Sequence, residues 1–436
     1  MTSILAVGGI VIVAIVLQVL WRRLNLKRER EVEELARDLS SLGELVPDTL
    51  HPHVDVERCI GSGACVRACP EHDVIALRES RAYLVNPLAC IGHSACADAC
   101  PVAAITLVFG TAKRGVELPK LTRTFETNQP GVYIVGELGG MGLIRNAVKQ
   151  GVEAAAAIAA GSRRGGGDVR DAVVVGAGPA GIAATLGLMK AGLSVDLIDG
   201  TEFGGTIRHY PRGKIVMNGK LAFPLYGTVS RKVMKKEELL AVWEDLRQKT
   251  GMKVETGITV EGLSVNADGS WTLRTTRGER RAAQVVLALG RRGSPRKLGV
   301  PGEELDKVAY RLLEPEVFAG KHVLVVGGGN SAVESALALA DAGGCASVTL
   351  SYRRAELARV RRQNRTRIDE AIQQGRVRGM MPSEIASITA DSVALKAKGV
   401  TTRLPNDAVI VQIGGTAPTE LLSSFGIALQ SKYGEA

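Results

Sequence analysis

Apolar and polar positions follow several different spacings along this chain of 436 residues, and each spacing predicts a different element. Ser3 to Trp21 is almost continuously apolar and is broken only by Gln18. At 1.5 Å per residue, a helix over this stretch reaches about 28 Å and just spans a hydrocarbon core. Residues 28–42 mix charges with leucines at helical spacing. The pattern therefore predicts a transmembrane anchor at 1–22 and a charged helical linker at 23–49.

Basic residues set the expected orientation of this anchor. Arg22, Arg23 and Lys27 follow the apolar stretch, whereas only the terminal amine precedes it. The positive-inside rule then puts the N-terminus outside and the bulk of the chain in the cytoplasm. A cleaved signal peptide is the alternative, but its charges should precede the apolar run and a small-residue cleavage site should follow it. We expect a single-pass protein of the cell membrane with cytoplasmic catalytic domains.

Asp171 to Asp199 has the pattern of a buried strand, a glycine turn, an amphipathic helix and a second strand that ends in an acid. Gly176, Gly178 and Gly181 fill G-x-G-x-x-G. Glycines there permit the tight turn, the close approach of a pyrophosphate and close packing of the helix. Asp199 lies where a carboxylate accepts hydrogen bonds from ribose hydroxyls. An ordinary βαβ turn is the alternative, and the complete pattern favours an FAD site.

The segment from His322 to Arg354 repeats this plan but ends differently. Ser351 stands where an acid is expected, and Arg353 and Arg354 follow it. Arginines suit a 2′-phosphate, so the pattern favours NADPH over NADH, with a solvated basic loop as the alternative. The residues that fill G-x-G-x-x-A in this copy are Gly327, Gly329 and Ala332.

The composition agrees with nucleotide-binding α/β units. The chain has 51 glycines and only 4% aromatic residues. Its net charge is +10, but the basic residues concentrate after the apolar N-terminus and after one nucleotide-binding strand. We therefore expect no nucleic-acid partner.

Six of the seven cysteines form two copies of C-x5-C-x3-C-P, and the second copy begins 31 residues after the first. Thiols stay reduced in a cytoplasm, and thiolates bind soft iron tightly, so this repeat favours metal binding over disulfides. The two copies contain Cys59, Cys65 and Cys69, then Cys90, Cys96 and Cys100.

CIGSGACVRACP and CIGHSACADACP resemble the paired motifs of bacterial two-cluster ferredoxins, C-x2-C-x2-C-x3-C-P. The resemblance implies two iron-sulfur clusters, one held by Cys59, Cys65 and Cys100 and the other by Cys90, Cys96 and Cys69. The second cysteine of each motif is missing, however, and Ser62 and His93 replace it. Three outcomes stay open: a 3Fe-4S cluster without a fourth ligand, a 4Fe-4S cluster that takes the Ser62 oxygen or the His93 nitrogen, or a module without metal.

GGTIRHYPRGK at residues 204–214 and SYRRAEL at residues 351–357 resemble the thioredoxin-reductase-like class of flavoproteins. This class includes ferredoxin-NADP reductases and low-molecular-weight disulfide reductases. The resemblance covers about residues 115–436 and implies an FAD domain interrupted by an NADPH domain, with Leu404 to Thr416 as the returning strand. It implies that the flavin is contacted by Gly204, Gly205 and Thr206.

The class has a further flavin-binding segment near its C-terminus, with a Gly-Asp pair, but here a matching segment lies earlier. Thr127 to Ala157 resembles this segment, with Gly136 and Glu137 in place of Gly-Asp, and Gly142 to Gln150 as the start of its helix. A circular permutation is the simplest account, because termini often lie close together at domain surfaces. A generic strand-loop-helix unit is the alternative.

The predicted fold class is α/β, with two Rossmann-like dinucleotide-binding domains for FAD and NADPH, a small α+β ferredoxin-like domain and one N-terminal transmembrane helix. The domain boundaries are 50–112 for the iron-sulfur domain, 115–165 for the permuted FAD-binding segment, 168–305 for the FAD-binding domain, 306–400 for the NADPH-binding domain and 401–436 for the return to the FAD domain.

The chemistry follows from the position of the thiols. No cysteine occurs between Cys100 and Cys345, and Cys345 has the surroundings of a packing residue, so a thioredoxin-type thiol relay is disfavoured. We expect hydride transfer from NADPH to the flavin and single-electron steps through the clusters, with either direction of flow.

Two alternatives are a reductase of a small disulfide or quinone with a structural ferredoxin module, and a redox-sensing membrane protein without turnover. The expected partners are NADPH, an unidentified redox protein and the membrane, and a homodimer stays open. No catalytic acid or base is assigned.

Overall fold

The computed structural model describes residues 50–435 with short gaps at 72–73, 91, 113–114, 141, 211, 218, 232, 291–294, 313, 358–359, 361, 398 and 416–417. Before residue 50 it describes only positions 15–16, 18–19, 22–23, 30, 32–34 and 36–37. The chain divides into two compact units, Met1–Arg114 with Gly434–Ala436, and Gly115–Tyr433.

The predicted transmembrane helix needs a correction. Most of Ser3 to Trp21 and of the predicted linker at 23–49 lies outside the described residues. Among the residues that are described, no helix has both the length and the apolar character needed to cross a membrane. This finding contradicts the predicted single-pass localisation and gives the predicted membrane contact no support, and we withdraw both. The prediction rested on apolar composition over a stretch that barely reaches the length of a span.

The first unit contains a small α+β module. Its elements are β1 (His51–Val54), α1 (Ala64–Ala68), β2 (Ile75–Arg78), β3 (Arg81–Leu84), α2 (Ala95–Asp98) and β4 (Ile105–Val108), with a 3-10 turn at Pro87–Ala89. β1 pairs with β4 and β2 with β3, both antiparallel. Glu79 and Ser80 join β2 to β3 with positive φ angles of 48° and 59°, as a tight hairpin turn requires. The buried core includes Val74, Ile75 and Ala82 together with four cysteines, and the other two cysteines of the repeat pack against it partly buried.

The second unit begins with the strands β5 (Val116–Pro119), β6 (Val132–Ile134), β7 (Arg170–Val175), β8 (Val195–Asp199), β9 (Ile215–Met217), β10 (Leu221–Phe223), β11 (Gly227–Val229), β12 (Val233–Lys235), β13 (Glu255–Thr256), β14 (Val260–Val265), β15 (Trp271–Thr275) and β16 (Gly278–Leu287). Its helices in this part are α3 (Ile144–Ala160), α4 (Pro179–Lys190) and α5 (Lys236–Thr250), with 3-10 helices at Gly136–Gly139 and Gly205–His209.

The second unit continues with β17 (Val308–Ala309), β18 (His322–Val326), β19 (Ser347–Ser351), β20 (Arg378–Met380), β21 (Glu384–Ile388), β22 (Ser392–Ala397), β23 (Val400–Pro405), β24 (Ala408–Val411) and β25 (Leu429–Lys432). The helices of this part are α6 (Asn330–Ala342), α7 (Arg362–Gln373) and α8 (Thr419–Ser424), with a 3-10 helix at Pro315–Phe318.

The larger sheet of this unit has the strand order β13-β8-β7-β16-β15-β14, and β6 also pairs with β16. β6, β7, β8 and β13 are parallel to their neighbours, whereas β15 is antiparallel to β14 and β16. α4 is apolar on almost every side because it is buried within the fold. α3 packs closely against it, since a Cβ on Gly151 would lie 2.3 Å from the carbonyl oxygen of Ala180.

The smaller sheet has the parallel order β17-β24-β18-β19-β20. Its core includes residues of α6 and α7, and β21, β22 and β23 form a separate antiparallel sheet. β24 lies beside β18, so the chain stays in this sheet beyond residue 400. After Val411 the chain leaves it, and Arg296 donates a backbone hydrogen bond to the carbonyl oxygen of Gly414 at 3.0 Å.

The last strand, β25, pairs antiparallel with β5, the first strand of the same unit. Leu422, Phe425 and Ile427, which precede β25, pack into the core of the larger sheet with Val132 and Ile134 of β6. The beginning and the end of this unit therefore meet in one local structure.

Candidate functional site

The first glycine turn connects β7 to α4, and its geometry requires glycine. Gly176 has φ 106°, and a Cβ there would lie 2.4 Å from the carbonyl oxygen of Ala288. A Cβ on Gly181 would lie 1.8 Å from the Gly176 carbonyl oxygen. Gly178 is the N-cap of α4, and a Cβ there would meet no atom nearer than the Gly205 Cα at 4.0 Å. This open cradle at a helix N-terminus fits a pyrophosphate.

A second glycine pair lies against this turn. Gly204 and Gly205 have φ 107° and 60°, and a Cβ on Gly205 would lie 2.8 Å from the Gly178 Cα. The Gly204 N–H donates to the carbonyl oxygen of Ala177 at 3.0 Å. Thr206 follows this pair in the 3-10 helix. The structure thus brings together two sequence motifs that both predict flavin contacts.

Asp199 ends β8 and is buried, and its carboxylate binds the protein backbone. Oδ2 accepts the Ala177 N–H at 2.6 Å. Oδ1 accepts the Thr201 N–H at 2.7 Å and the Thr201 hydroxyl at 3.0 Å. Sequence reasoning missed the role of Thr201, although a threonine two residues after an aspartate is a common local partner of this kind. A carboxylate has about four acceptor positions, so room for a ribose hydroxyl remains.

Gly136 lies next to the same cradle. It has φ 82°, and a Cβ there would lie 3.0 Å from the Ala180 Cβ at the start of α4. Its N–H donates to Oε1 of the buried Gln150 at 2.7 Å, a contact that sequence reasoning did not anticipate. Glu137 follows with an exposed side chain. The helix predicted from Gly142 begins at Ile144, and its N-cap Leu143 has a positive φ of 103°, which is strained for leucine.

The second glycine turn lines a cleft of about 740 Å³. Gly327 has φ 145°, and a Cβ there would lie 2.3 Å from the Gln412 carbonyl oxygen. Gly329 is the N-cap of α6, and a Cβ there would meet nothing within 4 Å. Ala332 is fully buried in the same helix. The turn therefore leaves space at a helix N-terminus, as a dinucleotide phosphate needs.

The end of β19 contributes the next part of this cleft. Ser351 is 1% exposed and its hydroxyl pairs with the Ser383 hydroxyl at 2.7 Å. The Tyr352 ring covers Gly328, where a Cβ would lie 2.2 Å from the ring. Arg353 and Arg354 are exposed and line the cleft. The structure thus separates the buried serine from the accessible arginines.

The cleft is also lined by His209, Tyr210 and Lys214, which precede β9. Lys214 Nζ forms an ion pair with Oε2 of Glu334 on α6 at 2.8 Å. Burial and the nearby Arg311 lower the pKa of His209, which therefore favours its neutral form. From the sequence, His209 and Tyr210 could lie near the flavin, but no general acid or base was assigned among them.

The first unit has two small cavities, each lined by three cysteines. The first is lined by Cys59, Cys65 and Cys100, with Ser62 at its edge, and the second by Cys69, Cys90 and Cys96, with His93. These are the sets that the ferredoxin resemblance implies, and ligation itself stays a prediction. Within the described part of the chain, no group of three or more His, Cys, Asp and Glu residues is arranged to hold a metal ion. A cluster is wider than one ion, so its thiolates surround a cavity instead of converging on a point.

The cysteine surroundings fit such a cluster. The backbone N–H of Ala82 donates to Cys59 Sγ at 3.4 Å, and that of Ala104 donates to Cys100 Sγ at 3.2 Å. Burial raises the pKa of the Cys96 thiol to about 12. It also raises the pKa values of three further thiols, those of Cys65, Cys69 and Cys90. Because buried thiols favour the neutral form, positively charged iron is what would keep them as thiolates.

Comparison with known proteins identifies both units. Residues 173–435 match the model of a family described as pyridine nucleotide-disulphide oxidoreductase, which covers more than half of the chain. The chain belongs to this family. Residues 51–101 match a 4Fe-4S dicluster domain. The protein is therefore an FAD-dependent NAD(P)H oxidoreductase that carries a 4Fe-4S ferredoxin domain, and its predicted α/β flavoprotein fold is confirmed.

Relatives of this oxidoreductase differ in the reactions for which they are named. The chain is 29% identical over 279 residues to a ferredoxin–NADP reductase of Ignicoccus hospitalis, covering 61% of this chain and 83% of the relative. It is 24% identical over 273 residues to a bacilliredoxin reductase of Bacillus subtilis, covering 60% and 82%. The solved bacillithiol disulfide reductase of Staphylococcus aureus aligns with a TM-score of 0.52 at 22% identity, covering 60% and 81%, and supports the fold alone.

The position of Cys345 bears on the disulphide chemistry in the family's name. Cys345 precedes β19 by two residues, at the edge of the smaller sheet opposite to the glycine turn. Burial raises the pKa of its thiol, and it packs against the core of that sheet. Among the described residues that line the cleft there is no cysteine. Cys345 therefore lies outside the described residues that line the cleft.

Proposed function

We propose that this oxidoreductase transfers electrons between NADPH and a one-electron redox partner by way of FAD and the iron-sulfur module. The observation that carries the proposal is the combination, in one chain, of a dinucleotide cleft with no cysteine among its described lining residues and of two three-cysteine cavities. FAD, when bound, links the two-electron chemistry of NADPH to one-electron chemistry. The similarity to proteins named ferredoxin–NADP reductase supports this function.

The residues proposed to hold FAD surround the start of α4. Gly176 permits the tight turn, Gly178 leaves space for the pyrophosphate at the N-terminus of α4, and Gly181 permits close packing of the helix. Asp199 keeps the turn in place through Ala177 and is proposed to accept a ribose hydroxyl. The remaining FAD contacts are proposed for Gly204, Gly205, Thr206, Gly136 and Glu137.

A circular permutation is the proposed reason why Gly136 and Glu137 precede the glycine turn. The family match begins at residue 173, yet β6 pairs with β16 and α3 packs on α4, so residues 132–160 complete the same larger sheet. The antiparallel pairing of β25 with β5 supports the permutation. If a hairpin of the unpermuted fold were cut at its loop, its two strands would become the first and last strands of the unit and would remain paired.

Arg353 and Arg354 are proposed to bind the 2′-phosphate of NADPH. Both are exposed in the cleft, and guanidinium groups bind phosphate in a planar, often bidentate geometry. Gly327 and Gly329 are proposed to face the pyrophosphate, and Ala332 lets α6 pack against the turn. Lys214 and Tyr210 would border the nicotinamide half of the cleft. They come from the part of the chain between β8 and β9 and not from the smaller sheet.

The function is tested on the full chain purified without oxygen. Iron, sulfide and flavin are assayed, and low-temperature EPR spectra are recorded before and after NADPH addition. We expect flavin together with cluster signals that change with NADPH. Flavin without iron would overturn the role of the module and leave an NADPH-dependent reductase of a small disulfide or quinone.

Cluster-ligand variants separate electron transfer through the module from a structural role of the module. Cys100→Ser and Cys69→Ser each remove one thiol of one cavity, and Cys345→Ser is the matched control because this thiol belongs to neither cavity. We expect the first two variants to keep NADPH-dependent flavin bleaching but to lose reduction of a one-electron protein acceptor such as a ferredoxin. Full activity toward that acceptor would contradict the proposal.

A further inference from the structure

The two residues that replace the second cysteine of each motif occupy equivalent positions. Ser62 Oγ accepts the Ala64 N–H at 3.4 Å, and His93 Nδ1 accepts the Ala95 N–H at 3.1 Å. Ala64 and Ala95 are the first residues of α1 and α2. In both copies, therefore, the replacing side chain binds the backbone where the short helix begins.

This backbone hydrogen bond determines which ring nitrogen of His93 carries the proton. A nitrogen that accepts a hydrogen bond holds a lone pair, so Nδ1 is unprotonated. The proton of the neutral ring then lies on Nε2, and a protonated nitrogen has no lone pair for iron. His93 in this orientation is therefore unable to bind a cluster through Nε2.

The Nε2 atom faces a cysteine of the same cavity. It lies 3.7 Å from the Sγ of Cys69, a distance suited to a hydrogen bond to sulfur. Cys69 belongs to the first motif and His93 to the second, so the contact crosses between the motifs. Both side chains line the second cavity together with Cys90 and Cys96.

We propose that His93 is a hydrogen-bond donor to the Cys69 thiolate and not a ligand of the cluster in the second cavity. This inference rests on the proposed function in one respect, that the module holds iron-sulfur clusters. Hydrogen bonds to ligand sulfurs help to set the reduction potential of a cluster. An N–H donor stabilises the more negative reduced form, so His93 raises the potential of this cluster.

Two amide variants separate the donor role from the ligand role. Asn in His93→Asn can present its oxygen near the place of Nδ1, so it retains the acceptor for Ala95 and loses the donor to Cys69. Gln in His93→Gln can reach the place of Nε2 with its NH2 group and retains a donor. If His93 is a donor, the second cluster should have a lower reduction potential in His93→Asn than in the unaltered protein. In His93→Gln the potential should stay near that of the unaltered protein. The cluster type should be the same in both variants.

The measurement is EPR-monitored redox titration of the full chain, combined with pulsed EPR for nitrogen coupling. We expect no strong nitrogen coupling in the unaltered protein. Strong coupling that disappears in both variants, or the same change of cluster type in both, would overturn the donor role and make His93 a ligand. Ser62→Ala, at the equivalent position of the first motif, is the control and should leave the second cluster's potential unchanged.

Failure of this inference is distinct from failure of the proposed function. Absence of iron from the unaltered protein would contradict the iron-sulfur module itself. Flavin content and the signal of the first cluster show whether each variant has folded, because His93 does not line the first cavity. If His93→Asn were to lose both signals, His93→Gln and the nitrogen coupling of the unaltered protein would still decide between donor and ligand.

Discussion

The two glycine turns of the second unit share one backbone plan and differ at the end of the strand that follows. After the first turn, Asp199 ends its strand and accepts hydrogen bonds from Ala177 and Thr201. After the second, Ser351 ends its strand as a buried hydroxyl paired with Ser383. In both turns the shared plan thus leaves space at a helix N-terminus. The strand that follows ends in an acid at the first turn and in a neutral hydroxyl at the second.

This difference is what the proposed function uses to distinguish two dinucleotides. The acid can accept ribose hydroxyls, but it would repel a 2′-phosphate. At the second turn no such charge follows directly, and the accessible groups are Arg353 and Arg354. In the proposed function, selection between FAD and NADPH depends on a few side chains at the strand ends, while the glycines serve both sites alike.

The largest effect is expected from Gly181→Val. A Cβ at this position would lie 1.8 Å from the Gly176 carbonyl oxygen, so the turn cannot keep its geometry. The cost should exceed the ~1–3 kcal/mol of ordinary overpacking. We expect the purified variant to lose most of its FAD, measured as flavin absorbance per polypeptide.

Ala332→Gly changes the equivalent position of the second turn. A glycine inside a helix costs ~1 kcal/mol relative to alanine, so the fold should persist. We expect the flavin content to stay unchanged, because Ala332 belongs to the core of the smaller sheet. Equal flavin loss in the two variants would show that the turns do not serve separate dinucleotides.

The next largest effect is expected from loss of the positive charges that follow β19. Arg353→Ala and Arg354→Ala each remove a guanidinium, and a hydrogen bond to a charged group contributes ~1.5–3 kcal/mol. We expect the KM for NADPH to rise about tenfold or more, with the KM for NADH little changed. Steady-state kinetics with both coenzymes and a dye acceptor measure the ratio.

Arg376→Ala is the control for this pair of arginines. Arg376 pairs with Asp341 at 2.9 Å on an exposed surface and does not line the cleft. Its loss should leave both KM values unchanged. A parallel rise of the KM for NADPH and NADH in the Arg353 variant would argue for general positioning instead of phosphate recognition.

The smallest effect is expected from Ser351→Ala. The change removes the hydrogen bond to the Ser383 hydroxyl, which also binds the Met380 carbonyl oxygen at 2.7 Å. The expected loss of stability is ~1 kcal/mol, seen as a lower midpoint of urea unfolding. Ser383→Ala and the double variant complete a cycle, and strictly additive losses would mean that the two hydroxyls do not interact.

The glycine turns could be predicted from the sequence because they depend on local requirements, and the grouping of the cysteines because the resemblance to two-cluster ferredoxins implies it. Gly176 and Gly327 need positive φ angles that disfavour other residues, and this requirement lies within one strand-turn-helix unit. The cysteine repeat likewise matches a doubled motif whose spacing is fixed. The predicted membrane span had no such geometric requirement, only apolar length, and the described residues do not support it.

By itself, then, the sequence determined the flavoprotein class, the ferredoxin domain and the turns that would hold phosphates. Only the tertiary structure decided the pairs Gln150 with Gly136, Ser351 with Ser383, and His93 with Cys69. The pairing of β25 with β5 is of the same kind. Hydrophobic periodicity specifies which face of an element is buried but not which distant residue meets it, because that choice depends on how elements far apart in the chain pack together.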